Sequence, residues 1–195
     1  ADYVESFREE SDWHGNWKQV AENFMESYHL PICHSGTVGR AVNLRQLATT
    51  ELRENFNYHR IVSDGSNPLT VAHATNHRLS GEQRRTTWVL ALYPSLMITL
   101  TPGYFWYLCI QPVDVSHSRV VFGGGMAPEF VTDDRAESLL EETKALTAAI
   151  IAEDRLCVER VCRGAQSRLA EAGPLSQLEK GNEDFARWVL ERVAS

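Results

Sequence analysis

Apolar residues first recur at helical spacing at Val20, Phe24 and Tyr28. This predicts a helix from about Trp17, with Asn16 as its N-cap. The helix should end before Pro31, because the residue preceding proline disfavours helical backbone. From about residue 42 to 127 the pattern changes to short runs rich in β-branched and aromatic residues. Segments 53–63, 70–75, 86–92, 96–101, 104–111 and 119–122 are predicted strands. Their short links, 64–68, 102–103 and 114–118, imply antiparallel pairing. The last third returns to helical spacing. Thr132 is the expected cap of a helix from 133 to about 163, with Gly164 near its stop. Its apolar stripe reads Leu139, Thr143, Leu146, Ile150, Ile151, Cys157, Val158 and Val161. A final helix over 175–193 would face Leu178, Phe185, Trp188, Val189 and Val193 inward. A short helix, a sheet and then long helices predict an α+β fold. A curved sheet gripping the long helix would leave a cavity for a small molecule between them.

Composition narrows the partners. A chain of 195 residues with 43% hydrophobic content is expected to be one globular domain. With 19 basic against 26 acidic residues and no Lys/Arg cluster, nucleic acid is not an expected partner. Residues 86–113 carry no charge, but Pro94, Pro102, Gly103 and Pro112 break any membrane-spanning helix. The four cysteines form no CxxC or CxH pair, which argues against a zinc or iron–sulfur site within the chain. Nor do they make a disulfide framework. With no signal-peptide pattern, a reducing cytoplasm is expected.

Candidate chemistry begins with His29 and His34. Five residues apart on one helix, their side chains would diverge by ~140°. A chain that turns at Pro31 can bring them back together. Taken alone, the pair reads more readily as two surface or core-satisfied histidines. Glu153 and Asp154 interrupt the stripe of the long helix, and a carboxylate there must reach solvent or a cation. The two acids point ~100° apart. Asp154, four after Ile150 and four before Val158, is the one expected to face the sheet, with Glu153 off the stripe. Two imidazoles and one carboxylate would form a facial triad suited to non-haem Fe(II).

Asn16-Trp17-Lys18, Glu22-Asn23-Phe24-Met25-Glu26-Ser27-Tyr28-His29 with His34, and then Glu153 to Gly164 (EDRLCVERVCRG) resemble the catalytic domain of Rieske non-haem iron oxygenase α subunits, the aromatic-ring-hydroxylating oxygenases. The resemblance covers essentially the whole chain. It implies a helix-grip fold over residues 1–195, with His29, His34 and Asp154 binding mononuclear Fe(II). It places Glu26 where an acid links the iron to a Rieske cluster on a neighbouring subunit, and Asn23 near the iron. It further implies O2 and a small-molecule substrate, a reductase or ferredoxin donor, and a homotrimer when full length. Two departures stand out. Cys162 occupies a position usually held by Gln, and the Rieske [2Fe-2S] domain, with its CxH and CxxH pairs, is absent. The chain is therefore expected to be a catalytic-domain fragment. The substrate would be aromatic or an N-methylated or quaternary ammonium compound. Glu26 and the 120-residue gap from His34 to Asp154 lean towards the latter subgroup. The rivals are a metal-free helix-grip binding module and a zinc hydrolase, although no HExxH spacing is present.

Other residues read as structural. Tyr104 to Tyr107 alternate faces, which suits packing better than an aromatic cage. Gly123-Gly124-Gly125 lacks phosphate-loop spacing. His59, His73, His77 and His117 are expected in solvent, and Cys157 as apolar filler; Cys33 has no assigned chemistry.

Overall fold

A computed structural model describes residues 3–41 and 51–194. A seven-stranded antiparallel sheet runs in the order β1-β7-β6-β5-β4-β3-β2. Its strands are β1 (Val4–Trp13), β2 (Glu51–Leu52), β3 (Phe56–Val62), β4 (Thr86–Leu92), β5 (Leu96–Leu100), β6 (Tyr104–Pro112) and β7 (Ser118–Met126). Helices α1 (Trp17–Met25) and α2 (Leu30–Cys33) follow β1; α3 (Pro128–Val131), α4 (Ala136–Ala165) and α5 (Lys180–Val193) follow β7. The main core lies between one sheet face and α1, α4 and α5, around Trp13, Val20, Met97, Ile110, Ile151 and Phe185. This is the expected α+β helix-grip architecture.

Strands appear over five of the six predicted segments, with 53–63 realised as Phe56–Val62 and 119–122 extended to Ser118–Met126. One predicted strand fails for an identifiable reason. Segment 70–75 is not a strand: Asn67 accepts a hydrogen bond from the Leu69 amide to start a 3-10 turn at Pro68–Thr70. The Thr101 hydroxyl then ties the Leu69 carbonyl over the sheet end. Strand β1 was not predicted, because it is an edge on which only Phe7 and Trp13 are buried. Its partner β7 extends through Gly123, Gly124 and Gly125. A Cβ on Gly125 would collide with the Val4 carbonyl, so this glycine permits close strand approach rather than phosphate binding. The part of the strand region at 42–50 lies outside the described residues.

The helical third also differs in detail. Thr132 closes α3, its amide bonding the Pro128 carbonyl at 3.3 Å. The Asp133 carboxylate accepts from the Arg135 amide at 2.8 Å and leads into α4, which passes Gly164 and ends at Ala165. The buried row of α4 is Leu139, Thr143, Thr147, Ile151, Asp154, Val158 and Cys162. Successive members are three or four residues apart, so Asp154 is carried inward by the same geometry as its apolar neighbours. Leu146 and Val161, expected in the stripe, are exposed. In α5, Phe185 is fully buried against Trp17, Tyr93 and Trp188, whereas Leu178 and Val193 are exposed. A capping box at Ser176 and Glu179 makes the approach to α5 a 3-10 turn, so the helix itself begins at Lys180.

Candidate metal centre

Asn16 caps α1 by accepting from the Lys18 amide at 3.0 Å. The helix ends at Met25, earlier than the proline rule suggests. Glu26 is extended, and its Oε2 accepts from the Tyr28 and His29 amides at 2.8 and 3.1 Å. That turn launches α2, with Pro31 in its first turn, where a missing N–H costs nothing. Pro31 thus begins a helix rather than stopping one. His29 and His34 flank this single turn as N-cap and C-cap, and their ring centroids are 5.2 Å apart. The expected convergence is present, by a different local route.

Asp154 reaches both rings from α4. Its Oδ1 lies 3.6 Å from His29 Nε2 and 3.0 Å from His34 Nε2. Suitable donor atoms of the three residues all lie within 4.8 Å of one another. Among the described residues this is the sole group of three or more His, Cys, Asp or Glu so arranged. Asn23 donates from Nδ2 to Asp154 Oδ1 at 2.7 Å. His34 is 1% exposed, so its ring is held almost entirely within the protein.

The opposite ring atoms are also engaged. His29 Nδ1 bonds Glu26 Oε1, and His34 Nδ1 bonds Glu153 Oε2 at 2.9 Å. An ionised carboxylate only accepts, so each Nδ1 carries the proton. In the neutral ring each Nε2 then presents a lone pair towards Asp154. Burial opposes a charge on His29, yet hydrogen bonds that its ring donates to Asp154 and Glu26 outweigh it and push its pKa up to about 9. His34 is raised in the same way, by Asp154 and Glu153 against burial. Burial likewise opposes ionisation of Asp154, but the two rings and Asn23 hold its carboxyl below the ordinary value. Without an ion, protonated imidazole supplies the positive charge that this carboxylate needs.

Glu153 is a site residue that spacing alone missed. Besides His34 it accepts from the Thr37 hydroxyl at 2.6 Å. Gly36 leaves room for it, since a Cβ there would stand 2.6 Å from Glu153 Oε1. The hint was present in the Glu-Asp pair: the member off the apolar row points along the helix surface to the segment after His34. A second departure concerns the thiols. Cys33 and Cys157 are joined in a disulfide, with Cα atoms 6.4 Å apart, so Cys157 is not apolar filler. Among the described residues Cys109 and Cys162 are free, and the Cys162 thiol donates to Gln19 Oε1 at 2.7 Å.

His59 also corrects its expected place in solvent. It is buried on β3, with Nε2 3.2 Å from the Ser27 hydroxyl, and burial pushes its pKa down to about 4. His77 is exposed, while His73 and His117 are half-buried near Asp133 and Asp114. Trp106 packs edge-on against Phe24, so the aromatic run serves packing. A cavity of about 440 Å³ lies elsewhere, walled by Tyr3, Asn76, Leu79, Pro128 and Thr132, and includes none of the metal-site residues. Among the described residues no helix is long and apolar enough to cross a membrane.

The fold has clear relatives among solved structures. The quaternary ammonium Rieske monooxygenase CntA, in complex with the inhibitor MMV12, matches 97% of this chain and 49% of its own, with 18% identity and a TM-score of 0.72. Dicamba monooxygenase bound to dicamba matches 99% of this chain and 60% of its own, with 12% identity and a TM-score of 0.64. At such identities the likeness shows the fold alone, and the chain spans about half the length of the CntA chain. No curated protein sequence matches it. A family model described as the ring hydroxylating alpha subunit (catalytic domain) matches residues 1–195, and the chain therefore belongs to that family.

Proposed function

We propose that this chain carries the mononuclear iron centre of an O2-dependent hydroxylating oxygenase, with His29, His34 and Asp154 as the ligands and residues 1–195 as one catalytic domain. The observation that carries this reading is the occupation of both Nδ1 atoms by carboxylates, which aims both Nε2 lone pairs at the space beside Asp154. The family implies non-haem iron at the catalytic site. Two neutral imidazoles and one carboxylate fit that ion and leave coordination positions open. Bound there, Fe(II) supplies the reductive activation of O2 from which hydroxylation follows.

The protein's own work is placement. Glu26 and Glu153 each hold an imidazole proton at Nδ1 and so fix ring orientation. Asn23 fixes the carboxylate of Asp154. Burial keeps bulk water from His34 and Asp154, which strengthens every interaction among them. Glu26 also matches the acid that, in the resembling oxygenases, faces a Rieske cluster on a neighbouring subunit. One CntA structure is described as revealing inter-subunit electron transfer. By that likeness the full-length protein is a homotrimer fed by a reductase or ferredoxin. Its [2Fe-2S] cluster would lie outside these residues, which contain no CxH or CxxH pair. CntA has been captured with L-carnitine, and dicamba monooxygenase with dicamba. The substrate class proposed here spans both types, aromatic and quaternary or N-methylated ammonium compounds.

Elemental analysis of the purified full-length protein tests the reading. Stoichiometric mononuclear iron should disappear in His29→Ala and His34→Ala while circular dichroism stays unchanged. Glu26→Gln should retain iron and lower turnover sharply. Wild-type protein with no bound metal would instead favour a metal-free binding module, and stoichiometric zinc a hydrolase.

A further inference from the structure

We propose that the Cys33–Cys157 disulfide is a reversible redox clasp that governs how tightly the metal centre holds its ion. The idea rests on the assignment of His29, His34 and Asp154 as ligands. Cys33 directly precedes His34 on α2, and Cys157 lies three residues after Asp154 on α4. The bridge therefore joins the two elements that bring the ligands together, across 124 residues of sequence. Its Cα separation of 6.4 Å falls within the range that disulfides span.

The clasp matters because, among the described residues, few side-chain contacts hold α2. None of its four residues is buried, and Ile32 is 79% exposed. Beyond its backbone turns, the segment meets α4 through the ligand histidines, Thr37 and the bridge. Glu153 and Cys157 stand four residues apart on α4 and so lie on one face, gripping residues 33–37 from the same side. Motion of α2 away from α4 would separate His34 from Asp154 and open a route for a bound ion. An intact bridge limits that motion; two thiols do not. Both cysteines are half-buried, beside the exposed Ile32 and Leu156, so oxidants and reductants can reach them.

The chemistry balances with hydrogen peroxide as the oxidant. One sulfur attacks a peroxide oxygen, the O–O bond breaks, and a sulfenic acid and water form. The second sulfur attacks the first, the S–S bond forms, and a second water leaves. The two sulfurs lose two electrons and the peroxide gains them. A dithiol reverses the step by thiol–disulfide exchange.

The experiment uses the full-length protein loaded with Co(II), a metal foreign to iron–sulfur clusters. Peroxide treatment, ended with catalase, or phosphine reduction is completed before Co(II) is added; both samples are then challenged with EDTA, and retained cobalt is counted by elemental analysis. Non-reducing peptide mapping should find the Cys33–Cys157 cross-link in the oxidised sample alone. Cobalt should leave the reduced protein roughly ten to a hundred times faster, the scale on which supporting interactions tune metal sites. Cys33→Ser and Cys157→Ser should release cobalt at the reduced rate under both conditions, whereas Cys109→Ser should behave as wild type. The redox comparison on the unmutated chain stands even if a serine variant misfolds. Equal release from both states, or no cross-link after peroxide, overturns the clasp and leaves the metal assignment standing. Failure of cobalt to bind in either state overturns both.

Discussion

Among the described residues, two groups that pair two histidines with a carboxylate look alike in composition and differ in what they can do. At one end of β1 and β7, His14 Nδ1 lies 2.8 Å from His117 Nε2, and His117 Nδ1 lies 3.2 Å from both Asp114 carboxylate oxygens. The other cluster is His29, His34 and Asp154. In the first, the rings satisfy each other, and His117 is 41% exposed. In the second, a carboxylate backs each ring from outside, so both Nε2 atoms converge on a third, buried carboxylate. A metal-binding arrangement needs unsatisfied lone pairs that point at one place. Burial and a second layer of acids create that condition, and proximity of histidines alone does not.

Removal of the shared acid breaks the contrast most directly. Asp154→Ala should abolish stoichiometric metal, whereas Asp114→Ala should leave metal content unchanged, both read by elemental analysis after dialysis. The supporting layer comes next. Glu153→Ala should weaken metal affinity by about 10- to 100-fold in a chelator competition, because His34 loses the acceptor that fixes its tautomer. An unchanged affinity would return Glu153 to the wet surface where spacing had placed it.

Proton competition sharpens the comparison further. In the metal-free site His29 holds a proton up to about pH 9, and a metal must displace it. Affinity should therefore rise about tenfold per pH unit from pH 7 towards 9, with protons released on binding that calorimetry in buffers of different ionisation enthalpy can count.

His59 supplies the complementary case, a buried histidine with no carboxylate beside it. Its folded pKa of about 4 lies below the unfolded value of 6.5. The unfolded chain therefore binds more protons between these values, and stability is full above pH 6.5 and lost as pH falls towards 4. The loss is on the order of 3 kcal/mol. His59→Gln should flatten that part of a denaturation-against-pH curve. The smallest effect belongs to the exposed pair: His117→Ala should change stability by no more than about 0.5 kcal/mol in urea unfolding.

Much of this was legible in the sequence, for local reasons. Runs of β-branched and aromatic residues in 86–92 and 104–111 marked those segments as strands, and a period near 3.6 carried Asp154 inward with Ile151 and Val158. The motif around Asn23, Glu26, His29 and His34 named the ligands by resemblance, and the positions it named converge. Strand β1 was not legible, because this edge strand carries charge at half of its positions and its partner lies more than 100 residues away. Leu146 and Val161 misled because a stripe drawn from composition is wider than the contact that the sheet makes.

What the sequence determined by itself is periodicity, the Asn16 cap and three candidate ligand positions in two motifs, since these depend on neighbours within a few residues. Only the tertiary structure decided that Glu153 supports His34, that Cys33 meets Cys157, and that burial lowers the pKa of His59 while carboxylates raise that of the half-buried His29. Each of these rests on a contact between elements far apart in sequence. No local rule reports the electric field or the partner that a distant segment brings to a side chain.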